Sequence, residues 1–135
     1  MLSQRLMGAY YGVSQPAFLA WLRIAGLNGG RLDTPEIALL AACVGELTRA
    51  GLPGAKAARL VGEIRDELVY AARIGGAAWM VLVNPWSDAP NTVVVPEVDR
   101  LGDIASSHPL TIVVSLPALI ADARATLTRL EAASV

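Results

Sequence analysis

His108 is the only imidazole in this 135-residue chain and Cys43 the only thiol. A zinc site draws three or four ligands from His, Cys and carboxylates, and a catalytic thiol or hydroxyl needs a base held beside it. His108 stands before Pro109 in a turn signal, so it reads as a solvated or structural ring. Cys43 lies between Leu40 and Leu47 in an apolar helical pattern and reads as inert core. There is no Gly-Lys-Ser/Thr phosphate loop, no dinucleotide glycine fingerprint and no Gly-x-Ser-x-Gly elbow. Glu63, Asp66 and Glu67 cluster at helical spacing, but Arg59 and Arg65 are close by, and the group reads as a solvated ion-pair face. The expectation is a protein that is not an enzyme and that uses no cofactor or metal.

The polar residues with more to offer lie between Leu6 and Leu32. Ser14, Gln15 and Arg23 are the polar side chains of one short helical stretch, and a Gln amide can read adenine through two hydrogen bonds. Arg31 sits in a glycine-rich turn, where the backbone can approach a phosphate closely.

The elements that would position these residues follow from periodicity and punctuation. Leu2, Leu6, Tyr10 and Val13 recur at helical spacing until Gly12 interrupts. Ser14-Gln15-Pro16 then opens a second helix, with Ser as cap and Pro in the first turn, and Gly26 stops it. Residues 27–32 read as a tight hairpin. Thr34-Pro35 opens a helix that Gly51 ends. Pro53 begins another, with Leu60, Val61, Ile64 and Leu68 as its buried stripe, expected to run unbroken to about Arg73 before Gly75-Gly76. Strands are expected at Trp79 to Val83, Thr92 to Val95 and Leu110 to Val114, a short helix at Val98 to Ser106, and a last helix capped by Ser115. Helix, turn, helix and hairpin in that order is a scaffold that places an exposed helix in the major groove of duplex DNA with a wing on the backbone. A small helical bundle with a surface hairpin fits the same pattern.

Composition bounds the rest. Eleven basic and twelve acidic groups leave a net charge of −1, which excludes a histone-like basic coat and an acidic disordered tail. The mean hydropathy is +0.48, yet the longest apolar run, Ile37 to Val44, is far short of the roughly 20 residues that cross a bilayer. No secretory signal pattern opens the chain and one cysteine allows no internal disulfide, so a cytoplasmic protein without a membrane partner is expected. All basic residues but Lys56 are Arg and Ala is abundant, a composition that suits a GC-rich bacterial genome.

Residues 1–60 hold Arg5, Arg23, Arg31, Arg49, Lys56 and Arg59 against Asp33, Glu36 and Glu46. Residues 76–135 hold Arg100, Arg124 and Arg129 against Asp88, Glu97, Asp99, Asp103, Asp122 and Glu131. Charge and secondary-structure signals thus divide the chain alike, and two parts are expected: a helical 1–74 and a three-stranded αβ unit at 75–135 with a C-terminal helix. Leu116, Ile120, Ala123, Leu127 and Leu130 repeat at four and three in that helix, a seam suited to homodimerisation, although packing onto the strands of its own domain requires a similar stripe. Trp79, Trp86 and the loop from Asn84 to Asn91 could line a ligand or protein site, or cover the edge of the sheet.

Gly12-Val13-Ser14, an apolar helix ending in Gly26-Leu27, Gly30-Arg31-Leu32, Thr34-Pro35-Glu36 and the run from Leu47 to Pro53 together resemble the MerR-type winged helix-turn-helix domain. The resemblance covers roughly residues 3 to 65 and consists of order and spacing. It departs from the family at Ala17-Phe18-Leu19-Ala20-Trp21, where a Thr-Leu-Arg-Tyr core is customary, and the family's long dimerising helix is missing. The resemblance implies an α+β protein that binds duplex DNA as a dimer and controls transcription. It makes Arg31 the wing arginine, Ser14 and Gln15 the start of the recognition helix, and Lys56 and Arg59 contacts to flanking phosphate. Tyr11 would stack or hydrogen-bond against the backbone, or fill the gap between two helices. A MerR-like head with a strand-rich tail is similar to small bacterial and phage-derived regulators. The alternatives are an architectural DNA-bending factor for excision, and a protein-interaction module of antitoxin or anti-activator type.

Overall fold

The computed structural model describes residues 14–26, 34–75 and 77–133. It is an α+β structure in which helices α1 (Gln15–Ile24), α2 (Thr34–Arg49), α3 (Gly54–Glu63) and α4 (Arg65–Ile74) precede a sheet. The strands are β1 (Trp79–Val83), β2 (Asn91–Val95) and β3 (Thr111–Ser115), with α5 (Val98–Ser107) between β2 and β3 and α6 (Leu116–Ala133) at the end. The expected first helix, the hairpin at 27–32, Tyr11 and Arg31 lie outside the described residues.

Local chemistry explains the helix ends. Ser14 is the N-cap of α1, its Oγ accepting from the Ala17 N–H at 3.3 Å, and Pro16 occupies the first turn, where its missing N–H costs nothing. Gly51 ends α2 at φ +107°, a conformation open to glycine, and two bonds close a Schellman motif: Leu52 N–H to Leu47 O and Gly51 N–H to Thr48 O. The expected single helix from Pro53 to Arg73 is two helices. The chain leaves helical geometry at Ile64, with φ −115° and ψ 20°, although neither Gly nor Pro occupies that position. The break falls where the chain passes the end of α1, between Gly62 against Ala25 and Arg65 on the Gly26 carbonyl. All four residues of the expected stripe, Leu60, Val61, Ile64 and Leu68, are nevertheless buried.

The sheet order is β2-β1-β3 and both pairings are antiparallel, with Val81 opposite Val93 on one side and Val113 on the other. Successive side chains of β1 enter two different cores. Met80 and Leu82 join the main core with Leu40, Leu47, Leu60, Leu68, Leu116 and Leu119, while Val81 and Val83 join Val95, Leu101 and Ile104 beneath α5. Burial of the middle strand on both faces accounts for its unbroken apolar run.

The main core extends from Trp21 in α1 to Ala123 in α6. Position 75 is therefore a change of secondary structure across which the core continues. On α6 the buried residues are Leu116, Leu119, Ala123 and Thr126, a stripe offset from the expected seam. Leu116 and Ala123 are spent inside the chain and Ile120 packs against the same core, which corrects their assignment to a dimer seam. The Leu127 and Leu130 side chains lie outside the described residues.

Candidate nucleic-acid interface

α1 is amphipathic in a way that fixes which face is open. Trp21, Leu22 and Ala25 are buried, and Ser14, Pro16, Arg23 and Ile24 are exposed. At about 100° per residue, Pro16, Arg23 and Ile24 fall on one side of the helix, opposite Trp21 and Ala25. Of this face only Arg23 is charged, and Ser14 offers its hydroxyl at the helix start. The helix of Gln15 is described, its side chain is not.

The rigidity of α1 comes from its seat. A Cβ on Gly54 would lie 2.5 Å from Trp21 Nε1, and one on Gly62 would lie 2.9 Å from the Ala25 Cα. Glycines eight residues apart on α3 therefore admit the Trp21 ring and the Ala25 backbone at distances no other residue permits. From the far side, Arg65 Nη1 donates to the Gly26 carbonyl at 2.7 Å, putting a cation at the carbonyl end of α1. This bond changes the reading of the acidic cluster: Arg65 reaches α1, and its contact with Asp66 is a looser 3.6 Å.

The two expected phosphate contacts of α3, three residues apart, lie about 60° apart on one flank of the helix. Gly54, Ala58 and Gly62 face α1, and Lys56 projects roughly 160° around the helix from them. Lys56 Nζ donates to the Ser87 carbonyl at 3.0 Å, which ties α3 to the β1–β2 loop. Arg59 is exposed, about 100° from the α1-facing side, and has no ion-pair partner among the described residues. Among the described residues the structure thus gathers Ser14 and Arg23 on α1, places Arg59 on the flank of α3, and ties the neighbouring Lys56 to the β1–β2 loop.

The same loop explains Trp86. It is 47% exposed, and its ring passes 3.8 Å from where a Cβ would stand on Gly51. With Lys56 it clamps the loop onto the α2–α3 junction. Ser87 N–H and Oγ both bond the Asn84 carbonyl, with Asn84 at φ 49°, so the loop is held by its own turn as well. Trp79 is half-buried against the second core.

Two ion pairs and one thiol complete the titratable inventory of interest. Arg73, in the last turn of α4, pairs with buried Glu36 in the first turn of α2, its Nε at 2.9 Å and its Nη2 also on Oε1. Arg49 pairs with Glu46 at 2.7 Å on the surface. Cys43 is fully buried, and desolvation pushes its thiol up to about 12, as expected for inert core. His108 caps α5, its Nδ1 lying 3.0 Å from the Ile104 carbonyl.

Among the described residues no group of three or more His, Cys, Asp and Glu could hold a metal ion, and no helix is long and apolar enough to cross a membrane. No family model, curated protein or solved structure matches the chain.

Proposed function

We propose that the protein binds duplex DNA as a winged helix-turn-helix regulator of the MerR type, with α1 as the helix that enters the major groove. The observation that supports this most is the mounting of α1. Its start and one long side are open to solvent, and its other side is locked down by Gly54, Gly62 and Arg65. A helix inserted into a groove must be held to a fraction of an ångström by the body behind it, and the close seat of α1 meets that demand. Arg23 on α1 and Arg59 on α3 supply backbone contacts, and Ser14 sits where a recognition helix first meets the bases.

The charge on this surface is modest, so one head binds weakly and two heads joined in one particle bind through avidity. Selection from a random duplex library, followed by anisotropy titration of the enriched sequence at several salt concentrations, tests the reading. Enrichment of a defined motif with affinity that falls steeply as salt rises is the expected result. Failure to enrich any sequence, together with the absence of salt-dependent binding to mixed duplex, would overturn it.

A further inference from the structure

With Leu116 and Ala123 of the α6 seam occupied inside the chain, the most exposed apolar side chains among the described residues lie elsewhere. The three most exposed large apolar side chains among the described residues are Ile74 at 68%, Tyr70 at 67% and Val98 at 65%. All three flank one feature, the outer edge of β2. Tyr70 and Ile74, one turn apart on α4, line a groove of about 540 Å³ whose opposite wall is Val94 and Pro96, and Val98 follows Pro96 by two residues.

The hydrogen bonds flanking the β1–β3 ladder fix what this edge offers. Asn84 N–H bonds Leu110 O and Leu116 N–H bonds Ala78 O, so the even residues of β1 turn their peptide groups to β3 and the odd ones to β2. Asn91, Val93 and Val95 therefore bond β1, and Thr92 and Val94 point their N–H and C=O outward. No backbone partner for these outward groups exists among the described residues. Pro96, next in the outward series, has no N–H to give.

An edge with two outward residues bounded by proline matches itself in one register. If β2 meets β2 antiparallel with Thr92 opposite Val94, all four outward groups of each copy are satisfied and the two-fold axis passes through the Val93–Val93 pair. A two-residue shift one way sets Thr92 opposite Pro96 and the other way sets Val94 opposite Pro90, and either leaves a group unmatched. The apolar flank also suits its own copy, since a two-fold sets α4 beside α4 and like side chains together. Carboxylates stand beside both free edges, Asp66 and Glu67 in the β2 groove and Glu46 and Asp122 in the β3 groove; what distinguishes the β2 edge is the greater exposure of Tyr70 and Ile74, against 46% for Leu110 and 44% for Val113.

We propose that a second copy of this chain pairs with the β2 edge, giving a continuous six-stranded antiparallel sheet closed over by Tyr70 and Ile74 of both copies. This interface holds independently of DNA binding, and its test uses no DNA.

Sedimentation velocity of the full chain, with and without Ile74→Lys, and oxidative crosslinking of Val93→Cys test it. Residues facing across a non-hydrogen-bonded antiparallel pair are close enough for a disulfide, and the buried native Cys43 stays silent. The wild-type chain should sediment as a dimer, Ile74→Lys should weaken the dimer by about tenfold or more, and Val93→Cys should give a covalent dimer under mild oxidation. Val113→Cys, at the centre of the β3 edge, should not. A monomeric wild-type chain, a dimer that crosslinks at 113, or one that crosslinks at neither position would overturn the proposal. Thermal melts of each variant verify the fold, and Ile74 is exposed enough for its substitution to leave that intact.

Discussion

Arg65 and Gly26 are 39 residues apart, yet the Arg65 Nη1 donates to the Gly26 carbonyl at 2.7 Å, joining the start of α4 to the end of α1. The bond satisfies a carbonyl that the helix end leaves without an intrahelical partner, and it sets a cation at the negative end of the helix. It also marks the place where one expected helix becomes two. Replacing Arg65 with Met should cost about 1 kcal/mol in urea unfolding and should speed amide exchange in α1 more than in α2. Uniform exchange across both helices would show that the bond does not anchor α1.

Glycines of one type should respond in opposite directions. Gly62→Ala must push its methyl into the Ala25 backbone, which cannot rotate away, and should destabilise by about 1–3 kcal/mol even though Ala favours helix. Gly102, on the open face of α5, has nothing within 4 Å of a built Cβ, and Gly102→Ala should stabilise by up to about 1 kcal/mol. Thermal melts of the two variants distinguish the cases. If both stabilise, α1 is not seated on α3 as described.

Glu36 and Arg73 join the first turn of α2 to the last turn of α4, and the carboxylate is the buried member. Arg73→Met removes the partner and leaves the acid in place, at an expected cost of about 2 kcal/mol. Adding Glu36→Gln to that variant should recover part of the loss. A double-mutant cycle in urea measures the coupling, and strictly additive losses would deny it.

Cys43 ionises in the unfolded chain near 9.0 but is held up to about 12 when folded. Its contribution is fully present below pH 9, where both states carry the proton. As pH rises the unfolded state loses its proton first, so stability falls by up to about 1.4 kcal/mol per pH unit through that window. Cys43→Ala should flatten this component. Thiol reagents at pH 8 should modify the native chain only at its unfolding rate; rapid labelling would show that the thiol is reachable.

On DNA, Arg23→Ala and Arg59→Ala should each weaken binding to all sequences alike and lower the salt slope by about one. Lys56→Ala should lower the slope by less than either and loosen the 84–90 loop, because its ammonium is tethered to the Ser87 carbonyl. Anisotropy titrations across salt concentrations check all three. Equal slopes for wild type and Arg23→Ala would remove α1 from the interface.

Much of this was legible from residue types and spacing. Ser14-Gln15-Pro16 announced the start of α1, Gly51 announced the end of α2, and the change from helical spacing to short β-branched runs after Gly75 announced the sheet, with strand limits correct to one residue. These signals are local: a cap, a left-handed glycine and a β-branched run act through neighbouring backbone whatever the rest of the chain does.

Other features depend on residues far apart in sequence. The break at Ile64 has no breaker at its own position and falls where Gly62 and Arg65 meet the end of α1. Lys56 is tethered only because the fold brings the Ser87 carbonyl to it. The stripe of α6 could have served a neighbouring chain as well as its own core, and only the packing of Leu116 and Ala123 against α2 and β1 assigned it inward. Periodicity tells which side of an element is apolar; what that side meets is decided by three-dimensional contact, which has no signature in the order of residues.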